Sequence, residues 1–303
     1  MEQPKGGGAG TRGAVRSRRI PLGDLAIALD EAGTGSRALV LVHGFTGHRQ
    51  DFAEHLPALG ELGWTVAPDL RGHGESTNTG REEDYRLERL AGDLLRLLDA
   101  LGAERFDLLG HSMGGMVALR LALARPERVA SLILMDTAPG PLRDLPLETF
   151  RLAWRVAREA GMESLQRMAQ ARAAEDPTRT AADRRLERER GPAWYWARHR
   201  RRFLAMDPVA YAELGREIVE QESLVPRLPE IRCPSLVLVG EEDRSFVEPA
   251  RVMAAALPDA ALVVIPGAGH QPQFEAPSAW FAAVRDHLRR VRPAGGEVAT
   301  ATR

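Results

Sequence analysis

The sequence predicts an α/β protein built on a mostly parallel, eight-stranded sheet that is flanked by helices. Short β-branched or leucine-rich runs alternate with longer helical patterns along most of the chain. The composition, 44% hydrophobic and 27% charged among 303 residues, is that of an ordinary globular protein. After the sixth strand-like run, about 85 residues carry no strand pattern, which predicts a helical insertion at that point.

The elements can be placed in order along the chain. Residues 18–22 and 25–30 flank Gly23 and are expected to form an antiparallel pair. The remaining strand-like runs are residues 38–42, 65–68, 106–109, 132–135, 236–239 and 261–265. Helical patterns between them include residues 51–62 and residues 87–101, where leucines recur at i, i+3, i+4 and i+7.

These boundaries predict a core with one insertion and two flexible ends. Residues 1–17, rich in Gly, Arg and Ser without periodicity, form a flexible leader, and residues 294–303 form a flexible tail. Residues 18–139 and 230–293 form the core. Residues 140–229 form a helical cap, because an insertion that returns to the same sheet is expected to cover a substrate site.

Charge and cysteine content limit the possible functions. The chain has 41 basic and 42 acidic residues, so no overall field attracts nucleic acid or an anionic membrane. Its single cysteine, Cys233, excludes an internal disulfide and a zinc site of several thiolates. The histidines show no metal-ligand spacing, so a catalytic metal is not expected, and the sequence predicts no cofactor. Without a signal-peptide pattern or a long apolar run, we expect a cytoplasmic protein that acts on a small molecule. The sequence does not indicate whether the protein is a monomer or an oligomer.

The segment Gly110-His111-Ser112-Met113-Gly114 fits the pattern G-x-S-x-G. It follows a predicted strand and opens a predicted helix, which is the context of a nucleophile elbow. Glycines on both sides leave room for the tight, strained turn that exposes the serine. The alternative is that Ser112 only caps the helix.

A second turn supports a catalytic role for Ser112. His43-Gly44-Phe45-Thr46-Gly47 follows the strand at residues 38–42. Such a turn can point a backbone N–H toward the serine. The amides of Phe45 and Met113 are therefore the expected oxyanion hole.

Five motifs occur in this order along the chain: HGFTG, DLRGHGES, GHSMGG, LVGEEDRS and GAGH. On these motifs the chain resembles the α/β-hydrolases that carry a helical cap, over about residues 18–293. The resemblance implies the α/β-hydrolase fold and a triad in the order nucleophile, acid, histidine. Haloalkane dehalogenases and epoxide hydrolases are similar in architecture but use an aspartate where this chain has Ser112.

His270 is the predicted general base. It ends the loop Gly267-Ala268-Gly269-His270, directly after a strand, where glycines let its side chain reach over the sheet edge. His43 and His73 are expected in structural roles, and His111 is expected to line the pocket. Surface positions are expected for His48, His55, His199 and His287.

The predicted acid is Asp243, which follows a strand and matches the acid position that the resemblance implies. A carboxylate there would hold the imidazole tautomer and stabilise the imidazolium. Two alternatives remain open. Glu242 is one residue away, and Asp136 follows the preceding strand, a location that some capped members of the family use.

The function predicted from these residues is a serine hydrolase that cleaves a carboxylic ester, or a similar acyl bond, through an acyl-enzyme. Carbon–carbon bond hydrolases and lactonases share the scaffold and stay open. HGFTG also resembles the 2-succinyl-6-hydroxy-2,4-cyclohexadiene-1-carboxylate synthases, lyases with the same triad that bind a substrate carboxylate through an arginine four positions after the serine. Met116 stands there in this chain, although arginines of the cap could supply a substitute. A non-catalytic ligand receptor on this scaffold is the least favoured alternative.

Aromatic residues of the cap are candidates for an apolar acyl pocket. Successive residues of a helix project about 100° apart, so at least one ring of the run 194–196 is expected to face the core. The candidate pocket residues are His111, Trp154, Trp194, Tyr195 and Trp196. Ordinary packing inside the cap is the alternative role for these rings.

Overall fold

A computed structural model describes residues 13–142, 147–176 and 179–292 of the chain. Most of the predicted leader and all of the predicted tail lie outside these residues. Strands and helices alternate as the sequence predicts and form one eight-stranded sheet. The α/β class is therefore confirmed.

The sheet contains all eight predicted strands. In chain order they are β1 (Arg16–Leu22), β2 (Leu25–Ala32), β3 (Ala38–Val42), β4 (Thr65–Pro68), β5 (Phe106–His111), β6 (Val129–Met135), β7 (Ser235–Gly240) and β8 (Ala260–Ile265). Their spatial order is β1-β2-β4-β3-β5-β6-β7-β8. From β4 to β8 the neighbours are parallel, while β2 pairs antiparallel with both β1 and β4.

The opening hairpin begins earlier than predicted. Strand β1 starts at Arg16, inside the segment expected to be a flexible leader, and Arg16 pairs with Glu31 of β2. Leu22 pairs with Leu25 across the turn, in which Gly23 has φ 76°. The ladder continues to Arg16 because β2 supplies partners along its whole length.

Helices cover both faces of the sheet. In chain order they are α1 (Leu56–Glu61), α2 (Leu87–Ala100), α3 (Met113–Ala124), α4 (Leu147–Ala171), α5 (Ala181–Arg190), α6 (Pro192–Leu204), α7 (Pro208–Glu220), α8 (Arg244–Ala256), α9 (Pro272–Glu275) and α10 (Pro277–Val291). Short 3-10 helices lie at Arg49–Phe52, Glu82–Asp84 and Val225–Glu230.

The prediction of one helix over residues 51–62 was wrong. A 3-10 helix at Arg49–Phe52 precedes the separate helix α1. Pro57 lies in the first turn of α1, where its missing N–H costs nothing and its fixed φ favours a helix start.

The sheet is buried between two hydrophobic layers. One face packs against α2, α3 and α8, and the other packs against α1 and α10, whose Trp280 is fully buried. Because both faces are covered, the central strands are continuous apolar runs. The carboxyl ends of β3, β5, β6, β7 and β8 meet at one edge, where ligand sites of parallel sheets form.

Helices α4 to α7 lie between β6 and β7, and we call residues 147–220 the helical insert. Helix α4 bends at Gly161, which has φ 80° and ψ 166°. The insert contacts the core through α5, which packs on α9, and through α7, which packs near the 3-10 helix Glu82–Asp84. Within the described ranges, no helix has the length and apolar character needed to cross a bilayer.

Candidate active site

Ser112 lies on a strained turn between β5 and α3. Its φ of 53° and ψ of −120° are unfavourable for a residue with a side chain. The two neighbouring glycines allow the turn: a Cβ at Gly110 would lie 2.4 Å from the carbonyl oxygen of Gly114, and one at Gly114 would lie 2.4 Å from that of Val42. This is the geometry that the G-x-S-x-G pattern predicts, and it leaves Ser112 at the carboxyl edge of the sheet.

The turn after β3 approaches Ser112 and is oriented by His43. A Cβ at Gly44 would lie 3.0 Å from the Cβ of Ser112. The Nε2 atom of His43 accepts the backbone N–H of Leu70 at 2.9 Å, so the ring proton must sit on Nδ1. Nδ1 therefore donates to the carbonyl oxygen of Gly44 at 2.9 Å. This bond fixes the plane of the Gly44–Phe45 peptide and with it the direction of the Phe45 N–H.

The ring of His43 stays neutral because it is fully buried. Burial lowers its pKa to about 4. His73 is also buried and its pKa is lowered to about 3, first by burial and then by His43. Both residues therefore have the structural character that the sequence predicts for them.

The structure brings His270 and Asp243 into direct contact. The Nδ1 atom of His270 donates to Oδ2 of Asp243 at 2.7 Å. Burial opposes protonation of His270, but the charge of Asp243 and its hydrogen bond outweigh burial and raise the pKa of His270. An imidazole held in this way has its tautomer fixed, with Nε2 free to accept a proton.

Asp136, the first alternative acid, lies beside Asp243. Its Oδ1 accepts the N–H of Gly240 at 2.8 Å, while its Oδ2 is buried without a hydrogen bond. Burial, and then the negative charge of Asp243, raise the pKa of Asp136 well above its usual range. The buried site therefore favours the protonated form of Asp136, whereas Asp243 is the carboxyl that bonds to His270.

Glu242, the second alternative acid, is engaged elsewhere. Its Oε2 accepts the N–H of Ala182 at 2.7 Å, in the first turn of α5. A carboxylate there is favoured by the positive end of the helix dipole. Glu242 thus holds the helical insert against the core.

Among the residues that the structure describes, one group of side chains has the spacing of metal ligands. It consists of Asp136, Asp243 and His270, and one ligand atom from each lies within 4.8 Å of the others. Two of these atoms are 2.7 Å apart, which is the length of an N–H···O hydrogen bond. The closeness of His270 and Asp243 is accounted for by this hydrogen bond.

His111 connects the serine turn to the histidine loop. Its Nε2 donates to the carbonyl oxygen of His270 at 2.7 Å, and the two rings lie 4.9 Å apart. Burial lowers the pKa of His111 well below its usual value, so the ring is neutral. His111 precedes Ser112 directly, and its contacts hold the loop of His270 next to the serine turn.

Of the four aromatic candidates in the helical insert, Trp194 contacts the core. Its ring lies 6.3 Å from that of Phe274 in α9, at an edge-on angle. The other three are bonded or packed within the insert: Tyr195 donates to Asp183, Trp196 donates to Glu187, and Trp154 packs on Gly215. A pocket role for these rings stays a prediction.

Three histidines are not where the sequence placed them. His48, His55 and His287, which were expected on the surface, are buried. His55 bonds through Nε2 to the carbonyl oxygen of Gln273, and its ring lies 4.4 Å from that of Trp280. Helical periodicity alone did not show which face of these segments is covered.

Sequence reasoning missed several polar residues near the site. Thr137 follows Asp136 and bonds to the serine turn. A polar cluster joins the insert to the core and consists of three buried residues, Asp51, Arg198 and Arg202, and the half-buried Gln271. Gln271 directly follows His270 in the chain, and this position could have indicated that it lies near the site. The arginines could not be distinguished from the many others of the insert.

Comparison with known proteins gives consistent matches over most of the chain. A family model described as the alpha/beta hydrolase fold matches residues 37–277. A 2-hydroxy-6-oxononadienedioate/2-hydroxy-6-oxononatrienedioate hydrolase of Burkholderia vietnamiensis is 31% identical over 284 residues, which are 88% of this chain and 92% of the relative. A Bacillus subtilis protein, provisionally named a 2-succinyl-6-hydroxy-2,4-cyclohexadiene-1-carboxylate synthase, is 29% identical over 86% of this chain and 94% of its own.

A solved structure gives a similar match. The malate-bound thermophilic esterase of Thermogutta terrifontis superposes with a TM-score of 0.76 at 31% identity. The match covers 88% of this chain and 94% of the esterase. These relatives share a scaffold while their names give different reactions.

Proposed function

The chain belongs to the α/β-hydrolase family, and from this premise we propose that it is a serine hydrolase that cleaves a carboxylic ester of a small molecule. In this proposal Ser112 is the nucleophile, His270 is the general base and Asp243 orients His270. The observation that carries the proposal is the contact between His270 and Asp243 at the sheet edge where the strained turn presents Ser112. The helical insert serves as the cap of this site.

The first half of the reaction forms an acyl-enzyme. Nε2 of His270 takes the hydroxyl proton of Ser112 as the oxygen attacks the ester carbonyl. Asp243, which accepts the hydrogen bond from Nδ1 of His270, stabilises the imidazolium that results. His270 then gives its proton to the leaving alcohol.

The amides of Phe45 and Met113 are the proposed donors to the tetrahedral oxyanion. Met113 is the first residue of α3, and the N–H groups of a first helical turn have no acceptor within the helix. The Phe45 amide belongs to the peptide that His43 orients. Donors fixed in advance need not reorganise during the reaction, which is the main source of their effect.

Deacylation repeats these steps with water. His270 removes a proton from water, the hydroxide oxygen attacks the acyl carbon, and Ser112 recovers the proton as the acid leaves. The cycle needs no electron transfer.

A second candidate is cleavage of a carbon–carbon bond or proton abstraction, the reactions that the names of two relatives suggest. The observation that favours it is a pair of buried arginines in α6, which could bind a carboxylate where the synthases use an arginine after the serine. Met116 occupies that position here and is fully buried. Esters are the more direct expectation because the proposed site provides everything that acyl transfer requires.

Hydrolysis of p-nitrophenyl acetate and butyrate by the wild type and by Ser112→Ala tests the proposal. The variant is expected to keep the wild-type circular dichroism and to lose roughly four to six orders of magnitude in kcat/KM, because the oxyanion hole alone gives modest catalysis. Ser278→Ala, at an exposed position of α10, is the matched control and should match the wild type.

A fluorophosphonate probe should label the wild type and Ser278→Ala but not Ser112→Ala. Hydrolysis by Ser112→Ala at the wild-type rate would place the nucleophile elsewhere. A wild type that is neither labelled nor active on either ester would contradict the ester proposal.

A further inference from the structure

Two arginines of the helical insert are buried next to the histidine loop. Arg198 and Arg202 are four residues apart on α6, so they project from one face of the helix. Their exposed fractions are 6% and 8%. Arg198 donates to Oε1 of Gln271, the residue after His270, and Arg202 contacts the same oxygen at 3.5 Å.

The two guanidinium groups share a single carboxylate. Asp51 lies 3.5 Å from Nη2 of Arg198 and 3.4 Å from Nε of Arg202. Although burial opposes ionisation, the charges of Arg202 and Arg198 lower the pKa of Asp51 to about 2. Two positive charges therefore face one negative charge in a place from which water is largely excluded.

The pair has fewer negative partners than another buried arginine of the same chain. Arg49 is 7% exposed and forms ion pairs with three carboxylates, those of Asp30, Asp69 and Glu75. By contrast, the contacts of Arg198 and Arg202 with Asp51 are at the long limit of an ion pair. Arg198 also stacks on the ring of Phe274, with its Cζ 3.9 Å from the ring centroid, but a ring carries no net charge. Burying positive charge without an equal negative charge is costly unless a ligand supplies it.

The pair also has unused hydrogen-bond donors. A guanidinium carries five N–H groups in a planar fork that matches a carboxylate. The Nε atom of Arg202 is buried without a hydrogen bond. Within the described ranges, Nε and Nη1 of Arg198 and Nη2 of Arg202 also have no acceptor.

The charge of this pair reaches the proposed catalytic groups. Arg202 lowers the pKa of His43 and His111, in each case after the larger effect of burial, and it opposes the rise of the pKa of His270. Arg198 itself has a pKa lowered to about 10, by burial and then by Arg202. An anion bound here would relieve this repulsion.

We propose that Arg198 and Arg202 form a subsite for a carboxylate carried by the substrate, so that the preferred ester is the monoester of a dicarboxylic acid or another acyl group with a free carboxylate. This inference rests on the proposed function for its catalytic consequence. The binding of the anion does not depend on that function. Gln271, bonded to both arginines, couples the subsite to the loop of His270.

Two esters with the same four-carbon acyl chain measure the preference. p-Nitrophenyl butyrate ends in a methyl group, and p-nitrophenyl hemisuccinate ends in a carboxylate. The wild type is expected to have the higher kcat/KM on the hemisuccinate. In Arg202→Gln the ratio of kcat/KM on the hemisuccinate to kcat/KM on the butyrate should fall about 10- to 100-fold. This is the effect expected from losing hydrogen bonds between charged groups.

Arg201→Gln is the matched control, since it removes the same charge from the exposed side of the same helix. Its ratio of kcat/KM values should equal that of the wild type. Asp51→Asn gives a change of opposite sign: it removes the competing carboxylate and should raise the ratio. An equal fall in Arg201→Gln and Arg202→Gln would show a long-range effect of net charge and overturn the subsite.

Calorimetric titration of Ser112→Ala with succinate gives a readout that needs no turnover. Succinate should bind, and adding Arg202→Gln should weaken it about 10-fold or more, while adding Arg201→Gln should not. If the wild type hydrolysed neither ester but this pattern held, the subsite would stand without the ester function. If Ser112→Ala abolished ester hydrolysis but succinate did not bind, or bound equally in all variants, the function would stand without the subsite.

Discussion

The hydroxyl of Thr137 donates a hydrogen bond of 2.6 Å to the carbonyl oxygen of Ser112. This carbonyl belongs to the same planar peptide as the N–H of Met113, one of the two proposed oxyanion donors. The close approach depends on Gly115, because a Cβ there would lie 2.5 Å from Oγ1 of Thr137. Thr137 and His43 thus each bond to the carbonyl of a peptide whose N–H we propose to face the oxyanion.

Thr137→Val should lower kcat with little change in KM. The substitution keeps the shape of the side chain and removes the hydroxyl that orients the Ser112–Met113 peptide. A hydrogen bond of this kind contributes about 1 kcal/mol, so we expect a fall of roughly 3- to 10-fold in kcat for p-nitrophenyl butyrate. Steady-state kinetics of the two proteins measure it.

Thr137→Ser is the control, since it retains the hydroxyl, and its kcat should be close to that of the wild type. The carbonyl of Ser112 also accepts the N–H of Gly115 at 2.9 Å, so it is not left unpaired in Thr137→Val. An equal loss of kcat in both variants, or a rise in KM alone, would argue against a positioning role for the hydroxyl.

Asp243→Asn and Asp136→Asn should have very different effects on activity. Asn at position 243 carries no negative charge and can donate its side-chain N–H₂ to Nδ1, which favours the wrong tautomer of His270, so kcat should fall by about 10⁴. Burial and Asp243 raise the pKa of Asp136, which favours its neutral form, so its replacement by a neutral amide of the same shape should change kcat by less than about threefold. The reverse order would make Asp136 the acid of the triad.

The pH profile of kcat/KM should show one acidic limb set by His270. Nε2 must be unprotonated to accept the serine proton, so activity falls as the pH drops through the pKa of His270. That pKa lies above the ordinary value of 6.5 because Asp243 outweighs burial. In Asp243→Asn the raising effect is lost while burial still lowers the pKa, so the midpoint of the limb should move to lower pH.

Measurements from pH 5 to pH 9 on p-nitrophenyl butyrate, with residual rates for the asparagine variant, define both midpoints. Asp136→Asn serves as the comparison, because Asp136 bonds to the N–H of Gly240 while the imidazole bonds to Asp243. A midpoint that is unchanged in Asp243→Asn would mean that another group controls the acidic limb.

Trp194 is the aromatic residue of the helical insert that we expect to affect acyl-chain preference. Its ring reaches Phe274 of the core, in the helix that follows the loop of His270. If Trp194 forms part of an acyl pocket, Trp194→Ala should change the ratio of kcat/KM for butyrate and acetate esters, since each methylene in such a pocket is worth roughly 1–3 kcal/mol.

Trp154→Ala is the structural comparison. Trp154 is nearly buried between helices of the insert, so its truncation should lower the melting temperature and leave the ratio of kcat/KM values unchanged. Tyr195 and Trp196 are truncated in the same series. An unchanged chain-length profile in all four variants would show that these rings have a packing role alone.

The fold was accessible from the sequence because its signals are local. Strands buried on both faces are continuous apolar runs, and the amphipathic helices between them show a repeat of 3.6 residues. The turn at Ser112 could be located for the same reason, since its flanking glycines stand beside it in the chain. The family resemblance rests on motifs of this kind, and the match over residues 37–277 confirms it.

The relations among distant residues were decided by tertiary structure alone. Asp136 and Asp243 both follow strands, and the sequence could not show that they meet or that burial raises the pKa of Asp136 well above its usual range. Nor could it distinguish Arg198 and Arg202 from the exposed Arg201 beside them. Burial and charge pairing depend on which surfaces the fold brings together. These surfaces can come from distant segments: Asp51 and Arg198 are more than a hundred residues apart in the chain. A local pattern fixes backbone form, whereas the ionisation of a side chain depends on everything that packs around it.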